Sequence, residues 1–565
     1  MVNKYFKKSI EKNKINEKLI NEIESYVESI LDGDVPQISY SSYLKFFESG
    51  IRKDFEEEYF KKRKQLTALA LYLQWSNSQK ALDYFKELLW SISNEFSWCL
   101  GAHLHFDDSG FIGESNKIID LFSAETAQTL SEIIIIHKDK LDKMLINHIK
   151  KQIKERVLNP FINEKWEWEE ATHNWSAVCA GCIGITALIL ENGERQDEII
   201  RRVEKSLEYY LSGFNNDGVS LEGIGYWTYG LGYYIYYKTL KNEDIEDNHI
   251  EKILAISNFP QAVQISEEVF VPFSDVPPNM ALPSGLISYL YQKYKINLPI
   301  VSQITSFDFD HCYRWAHISR NLWWTSNEIF NNNLKDGINL FNESQWFTLR
   351  DKDVFFSIKG GSNNEPHNHN DLGSFVLAVN GNVILTDLGA GPYTAGYFGK
   401  ERYTYDHTRS YYHSVPLING FEQSKTNENC NFGLEDCDKD NINLIIDITN
   451  AYSKARIESY KRKVKYSYEN RELIINDTVN SLYKLTVNEG LISYIKPSVI
   501  EEGLILWNIK DNEIRLKFDS NNLELKIEEK MVKNHYGNEC IVYRIGLISK
   551  ISDNIFNENF KLYIK

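Results

Sequence analysis

Up to about residue 330, apolar positions recur at the three-and-four spacing of amphipathic helices. "EKLINEIESYVESILDG" shows this spacing and a glycine stop. "KRKQLTALALYLQW", "QKALDYFKELLWSISNEF", "AETAQTLSEIIIIHKDKLDKMLINHIKKQIKERVL", "NWSAVCAGCIGITALILEN", "RRVEKSLEYYLSGF" and "YWTYGLGYYIYYKTL" continue it. The pattern predicts helices in series joined by short turns, with no strand pairs between them. Such a series stacks as helical hairpins, in a solenoid or a closed toroid. No strict sequence period supports a simple repeat array.

After about residue 335 the period changes to two. "QWFTLRDKDVFFSIKGG", "GSFVLAVNGNVILTDLG", "NLIIDITNAYS", "ARIESYKRKVKYSYENRELIINDTV", "LTVNEGLISYI" and "IRLKFDSNNLELKIEEKMV" alternate apolar and polar. Turn signals such as "VNGN", "ENRE" and "DSNN" separate them. This predicts antiparallel sheets stacked as a β-sandwich. With 565 residues there is material for two domains. The expected division is a helical domain over 1–335 and an all-β domain over 336–565.

Composition adds little to the fold and something to function. The chain is rich in aromatics, with 34 Tyr, 29 Phe and 12 Trp. Tyrosine lines carbohydrate and peptide clefts but also fills cores. A formal net charge of -16 argues against nucleic acid and anionic membrane as partners. An acidic small substrate stays possible, since a local basic cleft can sit on an acidic protein. The N-terminus "MVNKYFKKSIEKNKINEKL" has no apolar core of a secretory signal, and no window is apolar enough to span a bilayer. Seven cysteines without framework spacing fit a reducing compartment. A cytoplasmic location is expected.

The densest chemistry lies in Glu365–Phe375, "EPHNHNDLGSF". His367 and His369 are two apart and would point the same way on an extended strand. Asp387 in "ILTDLGAG" is expected at the end of the next strand, and His413 in "RSYYHSVPLING" at the start of a further one. Two histidines and a carboxylate form a common zinc set. A bare H-x-H arises often by chance, as a polar strand edge; the added Asp and His favour a metal. In "EEATHNWSAVCAGCIG", His173 and Asn174 precede Trp175 at a helix start, with Asn174 as N-cap. Cys179 and Cys182 lack a second pair and are expected as small buried residues. In "FNNDGVSLEGIGYWTYGLGYY", glycines at 218, 223 and 225 shape a turn into a helix whose first turns carry Glu222, Tyr226 and Tyr229. Those aromatics are either a packed helix face or site residues. "NEFSWCLGAHLHF" places Trp98, His103 and His105 at a helix end, to line a sugar subsite or to pack a rim.

Taken in order, these motifs resemble the heparinase II/III-like polysaccharide lyases, which include heparin, heparan and oligoalginate lyases. The resemblance covers nearly the whole chain: the "NW" helix start, "DG…EG.GYW.YG", "HNHNDLGSF", Asp387 with a later Tyr, and His413 before a "PL" strand. It implies an (α/α) toroid followed by an antiparallel β-sandwich, and β-elimination at a uronic acid. Carried over, Asn174 or His173 would neutralise the uronate carboxylate. Tyr226 would be the acid, and the base on one epimer. His367 would be the second base or a carboxylate partner. Tyr397 resembles a further catalytic tyrosine of some members. Trp98, His103, Glu222, Tyr229 and Arg402 would bind substrate, Arg402 by pairing with an acidic sugar. His369, Asp387 and His413 would hold a structural zinc. The implied partner is an acidic oligosaccharide or polysaccharide, lightly sulfated or unsulfated, given few clustered basic residues near the motifs. The oligomeric state stays open, a homodimer included.

Three rival readings use the same residues. A cupin-like metal oxygenase also has H-x-H, a carboxylate and a later histidine, but leaves the helical domain without a role. A metal-dependent glycan hydrolase would attack with metal-bound water. A carbohydrate-binding protein could keep the fold without activity, although His173, Asn174, Tyr226 and His367 all stand in place.

Overall fold

The computed structural model describes residues 5–565 apart from 8, 108–109, 112, 243–246, 395, 439, 511 and 551. It divides into two compact units. Met1–Phe214, Tyr226–Leu254 and Ala281–Asn332 make the first; Asn215–Gly225, Ala255–Met280 and Asn333–Lys565 make the second. The last border lies close to the expected cut at 335/336. Two earlier segments, however, pack with the β unit, so a single cut does not describe the packing.

The first unit is built from helices: α1 (Glu17–Ile30), α2 (Tyr40–Ser49), α3 (Lys53–Tyr72), α4 (Gln79–Ser93), α5 (Leu121–Ile136), α6 (Lys143–Ile153), α7 (Asn159–Asn163), α8 (Asn174–Leu190), α9 (Gly193–Ser212), α10 (Ile224–Lys241), α11 (Asp247–Val263), α12 (Ser284–Tyr294) and α13 (Trp315–Trp324). Helix α10 begins, and α11 ends, in segments of the second unit. Starts follow capping chemistry. Ser78 accepts from Ala81 N, and Asp120 from Ser123 N, each satisfying a first-turn donor. Helix α8 is apolar on all sides and correspondingly buried. Its glycines admit α10: a Cβ on Gly181 would lie 2.8 Å from the Tyr233 carbonyl oxygen, and one on Gly184 2.5 Å from the Tyr237 ring. Cys179 and Cys182 are buried free thiols on this helix.

The helical portion also holds two small strand pairs, which the periodicity did not predict. They are β1 (Phe106–Asp107) with β2 (Gly110–Phe111), and β3 (Gln264–Ser266) with β4 (Val269–Phe270). Pieces of two or three residues are too short to show an alternation. No described helix is long and apolar enough to cross a membrane.

Besides the β3–β4 pair, which falls in its segment Ala255–Met280, the second unit holds three larger antiparallel sheets among the described residues. The first is a meander of β5 (Gly337–Phe341), β6 (Trp346–Asp351), β7 (Val354–Lys359), β8 (Phe375–Val379) and β9 (Asn382–Leu385). Then follow β10 (Leu417–Ile418), β11 (Asn431–Cys437), β12 (Asn441–Asp447), β13 (Ser459–Ser467), β14 (Glu472–Asn480), β15 (Val487–Ser493), β16 (Ser498–Glu501), β17 (Leu504–Ile509), β18 (Asn512–Lys517), β19 (Leu523–Lys533), β20 (Glu539–Ser549) and β21 (Ile555–Ile564). Their orders are β10-β15-β20-β19 and β11-β12-β13-β14-β21-β18-β17-β16. Leu349, Phe356, Leu377, Val464, Ile475, Ile545 and Leu562 share one core drawn from all three sheets. Each such side chain contributes about 1.5–3 kcal/mol when fully buried.

Strand β13 shows how the core positions the loops above it. Tyr460, Val464 and Tyr466 point inward, and Lys461, Lys463 and Lys465 outward. Arg462 keeps the alternation but puts a charge on the inward face. It forks onto Asp477 at 2.8 and 2.7 Å and reaches Glu489 at 3.1 Å. Its remaining nitrogen, Nη1, donates to the carbonyls of Gly373 and Ser414, both at 2.7 Å. Gly373 and Ser414 lie at the ends of the two loops that carry the histidines.

Candidate active site

The histidine loop runs from Gly360 to Ser374 between β7 and β8 and is not a strand. His367 adopts a left-handed φ of 56°, a conformation rare outside glycine and enriched at functional sites. The two histidines are therefore not aligned by strand alternation, as the sequence suggested. They converge because both reach one carboxylate, Asp275.

Asp275 is a buried residue of the segment 255–280 and the centre of the arrangement. His367 Nδ1 lies 2.7 Å from its Oδ2, and His369 Nε2 lies 3.1 Å from its Oδ1. The Tyr397 hydroxyl donates to Oδ1 at 2.7 Å and Arg402 Nη2 to Oδ2 at 3.2 Å. Burial alone would raise the Asp275 pKa. The hydrogen bonds from His367 and His369 outweigh it and hold the carboxyl well below the usual carboxylate range. Ser274, just before it, also has a left-handed φ, of 65°, and its hydroxyl is tied to the Leu221 carbonyl at 2.8 Å. Motif reading passed over Asp275, because its partners are about a hundred residues away in the chain. The available signal was a lone acid inside the otherwise apolar, proline-bounded "VPFSDVPP".

His367 is the partly open member, with a side chain 19% exposed. Its Nε2 faces Glu222 Oε1 at 3.4 Å, and its ring meets Phe398 edge-on at 5.3 Å. Glu222 lies in the turn before α10, not in the helix as expected. Tyr397 is buried, and burial followed by the Asp275 charge pushes its phenol pKa far up. Arg402 is spent internally. It also donates to the Asn368 carbonyl at 3.1 and 3.0 Å and lies over the Tyr397 ring at 4.9 Å. The role expected for it, pairing with an acidic sugar, does not fit a guanidinium committed in this way.

His369, Asp387 and His413 are buried together, with ligand atoms all within 4.8 Å of one another. Asp387 follows the end of β9, as expected, whereas His413 ends a 3-10 turn ahead of β10 instead of starting a strand. His413 Nδ1 lies 2.6 Å from Asp387 Oδ2, and His369 Nδ1 lies 3.9 Å from Asp387 Oδ1. Each imidazole uses its outer Nε2 elsewhere, His413 on the His407 carbonyl at 3.1 Å and His369 on Asp275. Both Nδ1 atoms thus face the same carboxylate, and that of His369 is buried without a hydrogen-bond partner. An anchored outer N–H with an inward lone pair is how metal-ligating histidines are held. The donor set fits a zinc ion.

The first unit holds the remaining candidates. His173 caps α8, its Nδ1 accepting from Trp175 N at 3.5 Å, and Asn174 is the first helical residue. The cap and the helical residue are therefore exchanged relative to the expectation, since an imidazole nitrogen can accept the N–H that a carboxamide was expected to take. Tyr226 sits in the first turn of α10 and is partly open. Tyr229 is buried with Arg314 stacked over its ring at 4.1 Å, and Trp98 is buried with its indole N–H on the Ile92 carbonyl at 2.9 Å. Neither presents a face to a sugar; both pack the helical core. His103 is partly exposed, its Nδ1 2.7 Å from Asp120 Oδ2 and its ring against Trp175 at 5.2 Å.

Residues 334–539 match the family model described as heparinase II/III-like, C-terminal. A search of curated proteins found no match. Among solved structures, heparan sulfate lyase HepC from Pedobacter heparinus aligns over 97% of this chain and 87% of its own, at 12% identity and a TM-score of 0.62. Chondroitin AC lyase from Streptomyces coelicolor A3, in complex with chondroitin sulphate, aligns over 100% and 82%, at 8% identity and a TM-score of 0.58. A Paenibacillus xanthan lyase aligns over 100% and 59%, at 9% identity and a TM-score of 0.55. At these identities the likeness is one of fold, the helical toroid followed by antiparallel sheets. Residues 334–539 thus match the heparinase II/III-like, C-terminal family model, and the chain as a whole shares the fold of these lyases.

Proposed function

We propose that this protein is a glycan lyase that cleaves uronic-acid-containing oligosaccharides by β-elimination. The observation that carries the reading is the part-exposed His367 imidazole, fixed through Nδ1 to a buried carboxylate so that Nε2 is presented. In the proposed reaction the uronate carboxylate is neutralised by His173 or Asn174 at the start of α8, where the helix dipole and N–H groups favour an anion. This acidifies the C5 proton. His367 Nε2 takes that proton, or, on the other epimer, Tyr226 takes it as phenolate and becomes the phenol that protonates O4. The C5 electron pair forms the C4–C5 double bond as the C4–O4 bond breaks, and the Tyr226 hydroxyl protonates the departing O4. The products are an unsaturated uronate end and a new reducing end.

His369, Asp387 and His413 would hold a zinc ion. Bound there, it would brace the loop bearing His367 against the strand ends. The names of the structural neighbours, which include heparan sulfate and chondroitin lyases, support the substrate class.

The test is a screen of uronate oligosaccharides for new ultraviolet absorbance from the unsaturated product, run in oxygen-18 water. Absorbance without solvent oxygen in the product at the cleaved bond supports elimination. Cleavage with solvent oxygen and no absorbance would establish a hydrolase instead.

A further inference from the structure

Four side chains donate to Asp275, and they belong to two functional groups. His367, with the buried Tyr397 beside it, carries proton chemistry in the reading above; His369 carries a candidate metal. The fourth, Arg402, stacks on Tyr397 and ties the carboxylate to the backbone of Asn368, between the two histidines. A carboxylate can only accept here, so every group facing it must present a proton. That requirement fixes two tautomers at once. His367 must carry a proton on Nδ1, which leaves Nε2 on its partly open side, facing Glu222 at 3.4 Å. His369 must carry its proton on Nε2, which leaves the Nδ1 lone pair inward toward Asp387.

We propose that Asp275 is the positioning residue of this site, setting His367 for proton abstraction and His369 for metal ligation through one buried carboxylate. The role rests on the lyase reading for the word abstraction, but the tautomer assignment does not. A purely structural ion pair with Arg402 would require neither histidine. It would also leave unexplained why both oxygens are shared, Oδ1 between Tyr397 and His369 and Oδ2 between His367 and Arg402. Asn in this position keeps the shape but turns one acceptor into an NH2 that opposes two donors. Whichever way the amide lies, either the His367 side or the His369 side is lost.

The experiment uses the full-length, zinc-loaded protein labelled with 15N in its histidine rings, with resonances assigned through His367→Gln and His369→Gln. In the wild type, neutral His367 should show a protonated Nδ1 and a bare Nε2, and His369 the reverse. A neutral His367 protonated on Nε2 overturns the proposal, and this readout needs no Asp275 variant to fold. Asp275→Asn should then lower kcat or zinc affinity by about 10–100-fold, the usual range for an outer-shell partner, with KM little changed. A folded Asp275→Asn with wild-type kcat, zinc affinity and ring tautomers also overturns it. If the wild type cleaves no uronate, the lyase reading fails, while the tautomers and zinc affinity still decide the role of Asp275.

Discussion

Arg314 lies over Tyr229, its guanidinium carbon 4.1 Å from the ring centroid, while Tyr226, three residues earlier on α10, is partly open. The two tyrosines of "GYWTYG" therefore live in different environments. Burial first, then the Glu125 charge, drives the Tyr229 phenol pKa far up. Tyr226→Phe should keep the fold and reduce turnover by about 100-fold or more, the usual scale for a positioned acid. Tyr229→Ala should cost about 3 kcal/mol of stability through the cavity left under Arg314. Turnover and chemical denaturation of both variants decide it; a dead Tyr229→Phe beside a normal Tyr226→Phe would exchange the roles.

At the start of α8, His173→Ala and Asn174→Ala should each weaken turnover on a uronate substrate. His173→Ala should also lower stability by about 1 kcal/mol, because it removes the cap on Trp175 N. Steady-state kinetics with the carboxyl-reduced sugar as a control would test the first point. Two fully active variants would remove this helix start from the reaction.

The two histidines of the loop should separate by what they lose. His369→Ala should release zinc and lower the melting temperature together, whereas His367→Ala should retain zinc and lose rate. Metal analysis and thermal melts of both purified variants settle the pair, and the opposite pattern would reverse it.

Glu365 gives the loop a pH dependence. Burial raises its carboxyl from 4.5 to about 7, more than nearby Lys359 lowers it. Between those values the folded state binds a proton that the unfolded state has lost, so stability falls as pH rises through the window. The loss should approach about 3 kcal/mol above pH 7. Glu365→Gln should flatten that slope when denaturation is followed from pH 4.5 to 8; an unchanged slope would assign it to another group.

In the core, Arg462→Met should cost about 3–5 kcal/mol, since it leaves the Asp477 carboxylate buried without its cation. Equilibrium unfolding measures it. A cost below 1 kcal/mol would mean that Tyr460, which donates to Asp477 at 3.1 Å, suffices alone.

The strands β12, β13 and β14 were legible because one face of each is wetter than the other. In β13 the lysines at 461, 463 and 465 and the inward Tyr460, Val464 and Tyr466 spell the period directly. The candidate trio of His369, Asp387 and His413 was legible as residue types but not as geometry. His367 takes a left-handed conformation that no local pattern announces, and His413 approaches from a 3-10 turn. Asp275 was illegible for another reason: its role exists only through partners 92 to 127 residues away, at His367 and Arg402. Trp98 and Tyr229 look like sugar-binding aromatics in a string of letters; only burial distinguishes a stacking platform from packing.

Arg462 ties the far ends of both histidine loops to the same guanidinium, on a strand in the middle of the eight-stranded sheet. The spacing between those loop ends is thus a property of the sheet. Homologous loop exchange, a natural route to new specificities, would have to preserve two carbonyl positions set by a side chain outside either loop. The loops can vary along their lengths, but at Gly373 and Ser414 they share one hinge pin, and inheritance of the site is inheritance of that strand.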